Sequence, residues 1–150
     1  METIDKIFII NLDKDIERWK NCLLQLKKYN ITNFERFPAI QPVFKNINKK
    51  LYSQFQYCKS VRKAVIRQKK KMPLEKKKYI CGSLGCKFSH MEILKIAIKN
   101  KYKRILILED DFVFIDNFTK ELKNLINNIE NIDWKFLLLF GNNLNRTKKI

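Results

Sequence analysis

Three consecutive acids, Glu109, Asp110 and Asp111, directly follow the aliphatic run 105–108 in this chain of 150 residues. An aliphatic run of this length predicts a buried strand, which places the acids where the strand leaves the apolar core. Neighbouring carboxylates at a sheet edge repel one another and lose hydration, so a positive charge must compensate them. A basic side chain would do this, and so would Mg²⁺ or Mn²⁺, which prefer carboxylate oxygens. A capped, solvated strand end is the alternative that the residues leave open.

The direction of these side chains follows from strand geometry. In an extended segment, residues two apart share a face, so Glu109 and Asp111 are expected to point one way and Asp110 the other.

Apolar patterning over the rest of the chain predicts strands that alternate with helices. The predicted strands span residues 6–12, 33–40, 104–110 and 135–141, and the predicted helices begin after residue 13, at residue 86 and at residue 116 or 117. The segment around 52–71 is also expected to be partly helical. Asp13 is expected to cap the first helix, whose apolar face is predicted to contain Ile16, Trp19, Leu23 and Leu26. The third helix is predicted to carry Phe118, Leu122, Leu125 and Ile129 on one face.

Small residues precede the second predicted helix. Gly82, Ser83 and Gly85 predict a turn that leads into it, and the two glycines would let the backbone pass close to a ligand. Pro38 is expected at the end or the edge of the second strand.

This alternation predicts an α/β fold with a mostly parallel sheet, in which the strand 104–110 is central. Ligands of such sheets bind at the carboxyl ends of the strands. Asn11, Asp13, the acids 109–111 and residues 141–143 are the candidates there. The chain has neither the GxGxxG dinucleotide fingerprint nor a P-loop motif.

A net charge of +17 raises the question of an anionic partner. The segment 45–78 carries thirteen lysines and arginines against one acid, Glu75. We interpret it as a basic insertion, either a solvated, lysine-rich loop or a contact for lipid phosphates, a membrane surface or nucleic acid. Tyr52, Phe55 and Tyr57 interleave with its charges, as in single-strand binders.

Cysteine usage and hydropathy bear on the cellular setting. Cys22, Cys58, Cys81 and Cys86 show no zinc-type pairing and no dense disulfide framework, which favours a reduced, cytoplasmic environment. No apolar run approaches the length of a transmembrane helix, and the first residues do not resemble a secretory signal.

Five ordered segments resemble the blocks of glycosyltransferase family 25, which includes lipooligosaccharide galactosyltransferases and collagen hydroxylysine galactosyltransferases. They are FIINLDKDIERW (8–19), FERFPAI (34–40), GSLGCKFSHMEIL (82–94), ILILEDDFVF (105–114) and DWKFLLLFGN (133–142). The resemblance implies a GT-A-type, Rossmann-like fold over 1–150, with this chain as the N-terminal, donor-binding part of the domain.

The resemblance also implies an activity. A family member would transfer galactose or glucose from UDP-galactose or UDP-glucose, with inversion, to a glycan, lipooligosaccharide or glycoprotein hydroxylysine acceptor. Mn²⁺ or Mg²⁺ would be held by Glu109 and Asp111, because the family carries its acidic metal motif there. Donor-binding residues by the same resemblance are Asn11, Asp13, Arg18, Gly82 and Asp110.

For three of these residues, a purely structural role is the alternative to a functional one. Asp13 could serve only as a helix cap, Arg18 only as a surface arginine, and His90, which matches a serine–histidine pair of the family with Ser89, only as a packing residue.

Family members continue beyond the block at 133–142, so the resemblance implies a second half that this chain does not show. A truncated gene product, a chain that pairs with another polypeptide, and a chain that binds donor without transfer are the three interpretations. No catalytic base is indicated by the sequence. A catalytically inactive glycosyltransferase remnant and a basic nucleic-acid-binding module are the alternatives to an active transferase.

Overall fold

A computed structural model describes residues 4–43 and 73–139 of the chain. Within them, strands and helices alternate. In chain order the elements are β1 (Lys6–Asn11), α1 (Ile16–Lys28), β2 (Phe34–Pro38), α2 (Leu74–Lys99), β3 (Ile105–Glu109) and α3 (Phe118–Asn128). The elements from β1 to β3 belong to one compact unit, and α3 belongs to a second one that begins at Ile115.

The three strands form a parallel sheet in the order β2-β1-β3. Ile7 lies beside Phe34 on one side and Leu106 on the other, which sets the register. A parallel α/β sheet is therefore confirmed. The prediction that 104–110 is the central strand is wrong for the described sheet, in which β1 is central and β3 is an outer strand.

The central position of β1 explains its composition. Ile7, Phe8 and Ile9 are at most 1% exposed, because the strand is covered on both faces by helices. Phe8 and Ile10 point to one face and pack with Ile93 of α2 into an apolar cluster. Burial of these side chains contributes about 1.5–3 kcal/mol each.

Helix α1 packs on the opposite face of the sheet. The ring of Trp19 lies 6.3 Å from that of Phe34, and Cys22 and Leu26 are buried. The predicted apolar face is therefore only partly right, since Ile16 and Leu23 are 59% and 40% exposed.

The start of α1 differs from the prediction. The N-cap is Asp15, whose main-chain oxygen accepts a bond from the Trp19 N–H at 3.2 Å, and its side chain caps nothing. Asp13 is not the cap. Its carboxylate instead pairs with Arg36 of β2 at 2.8 Å, and this ion pair holds it outside the helix.

Helix α2 begins at Leu74, after Pro73, and continues to Lys99. The predicted turn at Gly82, Ser83 and Gly85 is therefore wrong, because all three are helical. A tertiary contact explains why a glycine is accepted at position 85. A Cβ there would overlap the main-chain oxygen of Ile40, so only glycine lets the segment after β2 lie against the helix.

The same segment is also held by a hydrogen bond. The Ile40 N–H donates to the Ser89 hydroxyl at 2.9 Å, and that hydroxyl donates to the Gly85 oxygen at 2.8 Å. Ser89 is fully buried. Gly85 and Ser89 thus fix where the chain passes after β2, which ends at Pro38 on the outer side of the sheet as predicted.

The second unit contains α3, which begins after Asn117 as predicted. Leu122 is buried and Phe118 and Ile129 are half-buried, as predicted, but Ile126 rather than Leu125 completes the buried face. The predicted strand 135–141 is not formed by residues 135–139.

Several predictions lie outside the described residues. They concern most of the basic insertion 45–78, its predicted helix around 52–71, and residues 141–143 at the sheet edge. Among the described helices, none combines the length and apolar character that crossing a membrane would require.

Candidate functional site

The carboxyl ends of β1 and β3 are joined by side chains. Asn11, the last residue of β1, is 1% exposed, and its amide donates to Asp110 Oδ2 at 2.8 Å and to the Asp15 main-chain oxygen at 3.2 Å. A buried amide must be hydrogen-bonded to avoid a desolvation cost. Here the acceptors are Asp110, just after β3, and Asp15, just before α1. Asn11 therefore positions Asp110 toward α1.

Asp110 also binds the guanidinium of Arg18. The Arg18 NH1 donates to Asp110 Oδ1 at 2.8 Å, where the carboxylate side chain is 10% exposed and the arginine side chain 56%. This hydrogen bond and the negative charge of Asp110 raise the pKa of Arg18 above its ordinary value. An arginine has five N–H donors, so one bond to Asp110 leaves others that can bind a ligand.

Arg36 of β2 completes this edge, and the sequence analysis did not identify it. Its Nε donates to Asn11 Oδ1 at 2.9 Å and its NH2 to Asp13 Oδ1 at 2.8 Å, while the guanidinium lies 5.6 Å from the centre of the Trp19 ring. β2 carries two charged residues, Glu35 and Arg36, among apolar ones, and the sequence alone does not indicate which residues they pair with.

Four of the five predicted donor-binding residues are thereby brought together. They are Asn11, Asp13, Arg18 and Asp110, which with Arg36 form one chain of hydrogen bonds and ion pairs that we call the edge network. It contains two arginines and two aspartates, so its own charges balance. Guanidinium groups at the carboxyl edge of a parallel sheet are suited to bind phosphate oxygens.

Gly82, the fifth predicted donor-binding residue, lies on the exposed side of α2. Among the described residues, no atom outside its own helix lies within 4 Å of where its Cβ would be. The turn that motivated its assignment does not form, and its donor role stays a prediction.

The acids 109–111 do not continue the strand. β3 ends at Glu109, and the Phe112 N–H donates to the Glu109 main-chain oxygen at 3.2 Å, which closes a turn through Asp110 and Asp111. The extended geometry used to place Glu109 and Asp111 on one face therefore ends at Glu109. Asp110 does point away from Glu109, toward α1, as predicted.

Glu109 faces α2, where Cys86 and His90 lie. The Cys86 thiol is 3.4 Å from Glu109 Oε1 and 3.7 Å from His90 Nδ1. Partial burial of the thiol, followed by the charge and hydrogen bond of Glu109, raises the pKa of Cys86 to about 11. Cys86 is therefore a protonated thiol at neutral pH.

Hard-cation binding was predicted at Glu109 and Asp111. Both side chains are exposed, and their carboxylate oxygens suit Mg²⁺ or Mn²⁺. Asp110 is less suited, because Asn11 and Arg18 already share its two oxygens. Cation binding by Glu109 and Asp111 stays a prediction, whereas Asp110 is bound to Arg18.

Comparison with known proteins defines the class of this fold and site. The family model described as "Glycosyltransferase family 25 (LPS biosynthesis protein)" matches residues 4–149. The chain belongs to glycosyltransferase family 25, as its sequence segments indicated. Its parallel α/β sheet is consistent with a small, partial GT-A fold of the Rossmann-like type.

Individual relatives carry different names. A "Glycosyltransferase 25 family member" of Drosophila melanogaster is 25% identical over 139 residues, which are 93% of this chain and 21% of the relative. "Procollagen galactosyltransferase 2" of Homo sapiens is 33% identical over 60 residues, or 39% of this chain and 10% of the relative. "Inactive glycosyltransferase 25 family member 3" of Mus musculus is 28% identical over 71 residues, or 46% and 12%. The matched part of the chain spans about a fifth or less of the length of these relatives.

Proposed function

We propose that this chain binds a UDP-hexose at the edge network and serves the transfer of galactose or glucose to a hydroxyl group of a glycan, lipooligosaccharide or hydroxylysine acceptor, with inversion at the sugar. The observation that carries the proposal is the Arg18–Asp110–Asn11–Arg36 arrangement at the carboxyl ends of three parallel strands. Family membership and the name of the human galactosyltransferase support the sugar class.

Arg18 has the most direct role in this proposal. Its exposed guanidinium donates N–H bonds to the diphosphate oxygens, and Asp110 holds it in place from the buried side. Arg36 is a positioning residue, since it binds the oxygens of Asn11 and Asp13 rather than facing solvent alone. The ring of Trp19 beneath Arg36 limits the directions that this guanidinium can take.

A divalent cation, Mn²⁺ or Mg²⁺, belongs to the proposal as well. Glu109 and Asp111 would hold it, and it would supply positive charge that stabilises the UDP leaving group. Asp110 lies between these two acids in sequence but is directed to Arg18, so the three acids divide between cation and guanidinium.

A second candidate is a chain that folds but transfers no sugar. The mouse relative is named inactive, which makes this a property that occurs in the family. Donor binding without turnover, measured with a broad panel of acceptors, would favour it.

Calorimetric titration with UDP-galactose and UDP-glucose, with and without Mn²⁺, tests the donor site. We expect binding that requires Mn²⁺ and that is lost in Arg18→Ala. Lys20→Ala is the matched control, because Lys20 is 62% exposed on the same helix and, among the described residues, forms its ion pair with Glu17. Absence of binding by the folded wild-type chain, or equal loss in both variants, would contradict the proposal.

A further inference from the structure

Cys86 and His90, which the proposed donor site does not use, form a cluster with Glu109. Cys86 and His90 are one turn apart on α2, which puts them on the same helix face, and Glu109 ends β3 opposite them. One ligand atom from each of the three residues lies within 4.8 Å of those of the other two. Among the described residues, α2 and β3 thus bring a thiol, an imidazole and a carboxylate close together.

The distances in the cluster can be compared with those around a tetrahedral ion. Zinc binds sulfur at about 2.3 Å and nitrogen or oxygen at about 2.0–2.2 Å, so its ligand atoms are roughly 3.3–3.6 Å apart. The Cys86 thiol is 3.4 Å from the Glu109 oxygen and 3.7 Å from His90 Nδ1. Small side-chain rotations would therefore bring three ligands around one ion without movement of the helix or the strand.

The chemistry of the three side chains selects the kind of ion. A thiolate is a soft ligand and an imidazole a borderline one, and both favour Zn²⁺ over Mg²⁺ or Mn²⁺. We propose that Cys86, His90 and Glu109 form a zinc-binding site with three protein ligands, whose fourth position is open to water. The open position follows from the exposure of Cys86 and Glu109 at the sheet edge.

The contacts of Cys86 and His90 show which protons must leave when zinc binds. The Cys86 S–H donates to Glu109, and His90 Nδ1 lies 2.9 Å from the main-chain oxygen of Cys86. On binding, the thiol proton leaves to solvent and the sulfur binds the ion as thiolate. The imidazole binds the ion as the neutral ring, through either Nε2 or an Nδ1 that has given up its contact with the Cys86 oxygen. Because the thiol proton is released on binding, affinity rises with pH.

The zinc site shares Glu109 with the proposed cation site, but its other two ligands, Cys86 and His90, have no role in the proposed donor site. Zinc binding needs no nucleotide, whereas the proposed function requires a UDP-sugar and Mn²⁺. Within the described part of the chain, the Cys86 thiol contacts Glu109 and His90 and forms no hydrogen bond with the edge network. A Cys86 variant should therefore lose zinc and keep Mn²⁺-dependent donor binding, which separates the two proposals.

Cobalt(II) is the probe, because Zn²⁺ itself is colourless. The full chain, kept reduced with a phosphine, is titrated with Co²⁺ alone. We expect a sulfur-to-cobalt charge-transfer absorption and intense visible bands of a tetrahedral ion, both of which stoichiometric Zn²⁺ abolishes. Cys86→Ser should remove the charge-transfer absorption, and His90→Ala and Glu109→Gln should each raise the dissociation constant at least about tenfold.

Cys81→Ser is the matched control, since Cys81 lies on the same helix outside the cluster. It should leave the Co²⁺ spectrum unchanged, and circular dichroism should show the same helix content in all variants. A charge-transfer absorption that survives Cys86→Ser, or none in the folded wild-type chain, would overturn the proposal.

Discussion

The Asn11 amide and the Asp110 carboxylate are 2.8 Å apart, although 99 positions separate them in the chain. This bond joins the ends of β1 and β3 and directs Asp110 to the side of the sheet on which α1 and Arg18 lie. The side chains of the consecutive acids Glu109 and Asp110 therefore contact different neighbours. Glu109 faces a thiol and an imidazole, and Asp110 faces a guanidinium.

Asp110→Asn should destabilise the fold. The new amide has one oxygen in place of two, so its N–H₂ group would face the N–H donor of either Asn11 or Arg18. Loss of one hydrogen bond and the facing donors should lower the free energy of unfolding by about 1–3 kcal/mol. Urea denaturation measures the loss. Asp111→Asn, one position further and exposed, is the control and should change stability by less than about 0.5 kcal/mol. Similar losses in both variants would show that the Asn11–Asp110 bond is not the cause.

The Arg18–Asp110 pair should contribute little to stability by itself. Because the Arg18 side chain is 56% exposed, solvent screens the pair, and we expect a coupling free energy below about 1 kcal/mol. A double-mutant cycle with Arg18→Ala and Asp110→Asn measures it by denaturation. A coupling of several kcal/mol would mean that Arg18 is structural and would weaken its assignment to the donor.

Asp111→Asn should abolish Mn²⁺-dependent binding of a UDP-sugar and leave the fold intact. The substitution keeps the side-chain shape and removes the negative charge that the cation requires. Asp116→Asn is the control, an exposed aspartate outside the acid triplet. Calorimetry in the presence of Mn²⁺ decides the matter, and retained metal-dependent binding in Asp111→Asn would assign the acid a structural role.

Two glycines of α2 should respond to alanine in opposite directions. Gly82→Ala adds a methyl group to open space within a helix and should stabilise the fold by about 0.5–1 kcal/mol. Gly85→Ala should destabilise it by about 1–3 kcal/mol, since the methyl group would overlap the Ile40 main-chain oxygen. Thermal denaturation of both variants tests this, and equal shifts would contradict the close contact.

Stability should fall at alkaline pH because of Cys22. Burial, and next the charge of Asp110, raise the pKa of this thiol from 9.0 to about 11, so the folded state favours the protonated form. The resulting stabilisation is fully present below about pH 9 and is lost as the pH rises to about 11, by at most about 2–3 kcal/mol.

Urea denaturation across this pH window measures the effect. Cys22→Ala removes the titrating group, so its stability should decline less steeply than that of the wild-type chain. Parallel curves for the two proteins would exclude this contribution from Cys22.

Apolar runs made much of this fold predictable. The strands β1, β2 and β3 lie within the predicted ranges. Runs of β-branched and aromatic residues that are bounded by polar residues are typical of strands in an α/β chain. Asn11, Asp13 and Asp110 were predictable because the carboxyl ends of parallel strands lie at the same edge of a sheet, whereas Arg18 was expected only from the family resemblance. Arg36 was missed because its role depends on which residues of neighbouring strands lie side by side, and single-sequence patterns do not contain the register.

The glycines show the opposite limit. Gly82 and Gly85 predict a turn on local grounds, yet α2 runs through both. Packing of Ile40 against Gly85 and the bond from Ile40 to Ser89 are tertiary contacts that outweigh the low helix propensity of glycine. Cys86 and His90 were likewise judged one by one, and only the helix brought both to Glu109.

The contact of Ile40 with Gly85 has a consequence for changes in chain length. Ile40 packs against Gly85 of α2, and Pro73 is the N-cap of the same helix, twelve residues before Gly85. Because a helix rises about 1.5 Å per residue, these two positions on α2 are about 18 Å apart. Six extended residues already cover about 20 Å. A connection of about six residues is therefore long enough to join the two described ends without moving β2 away from α2.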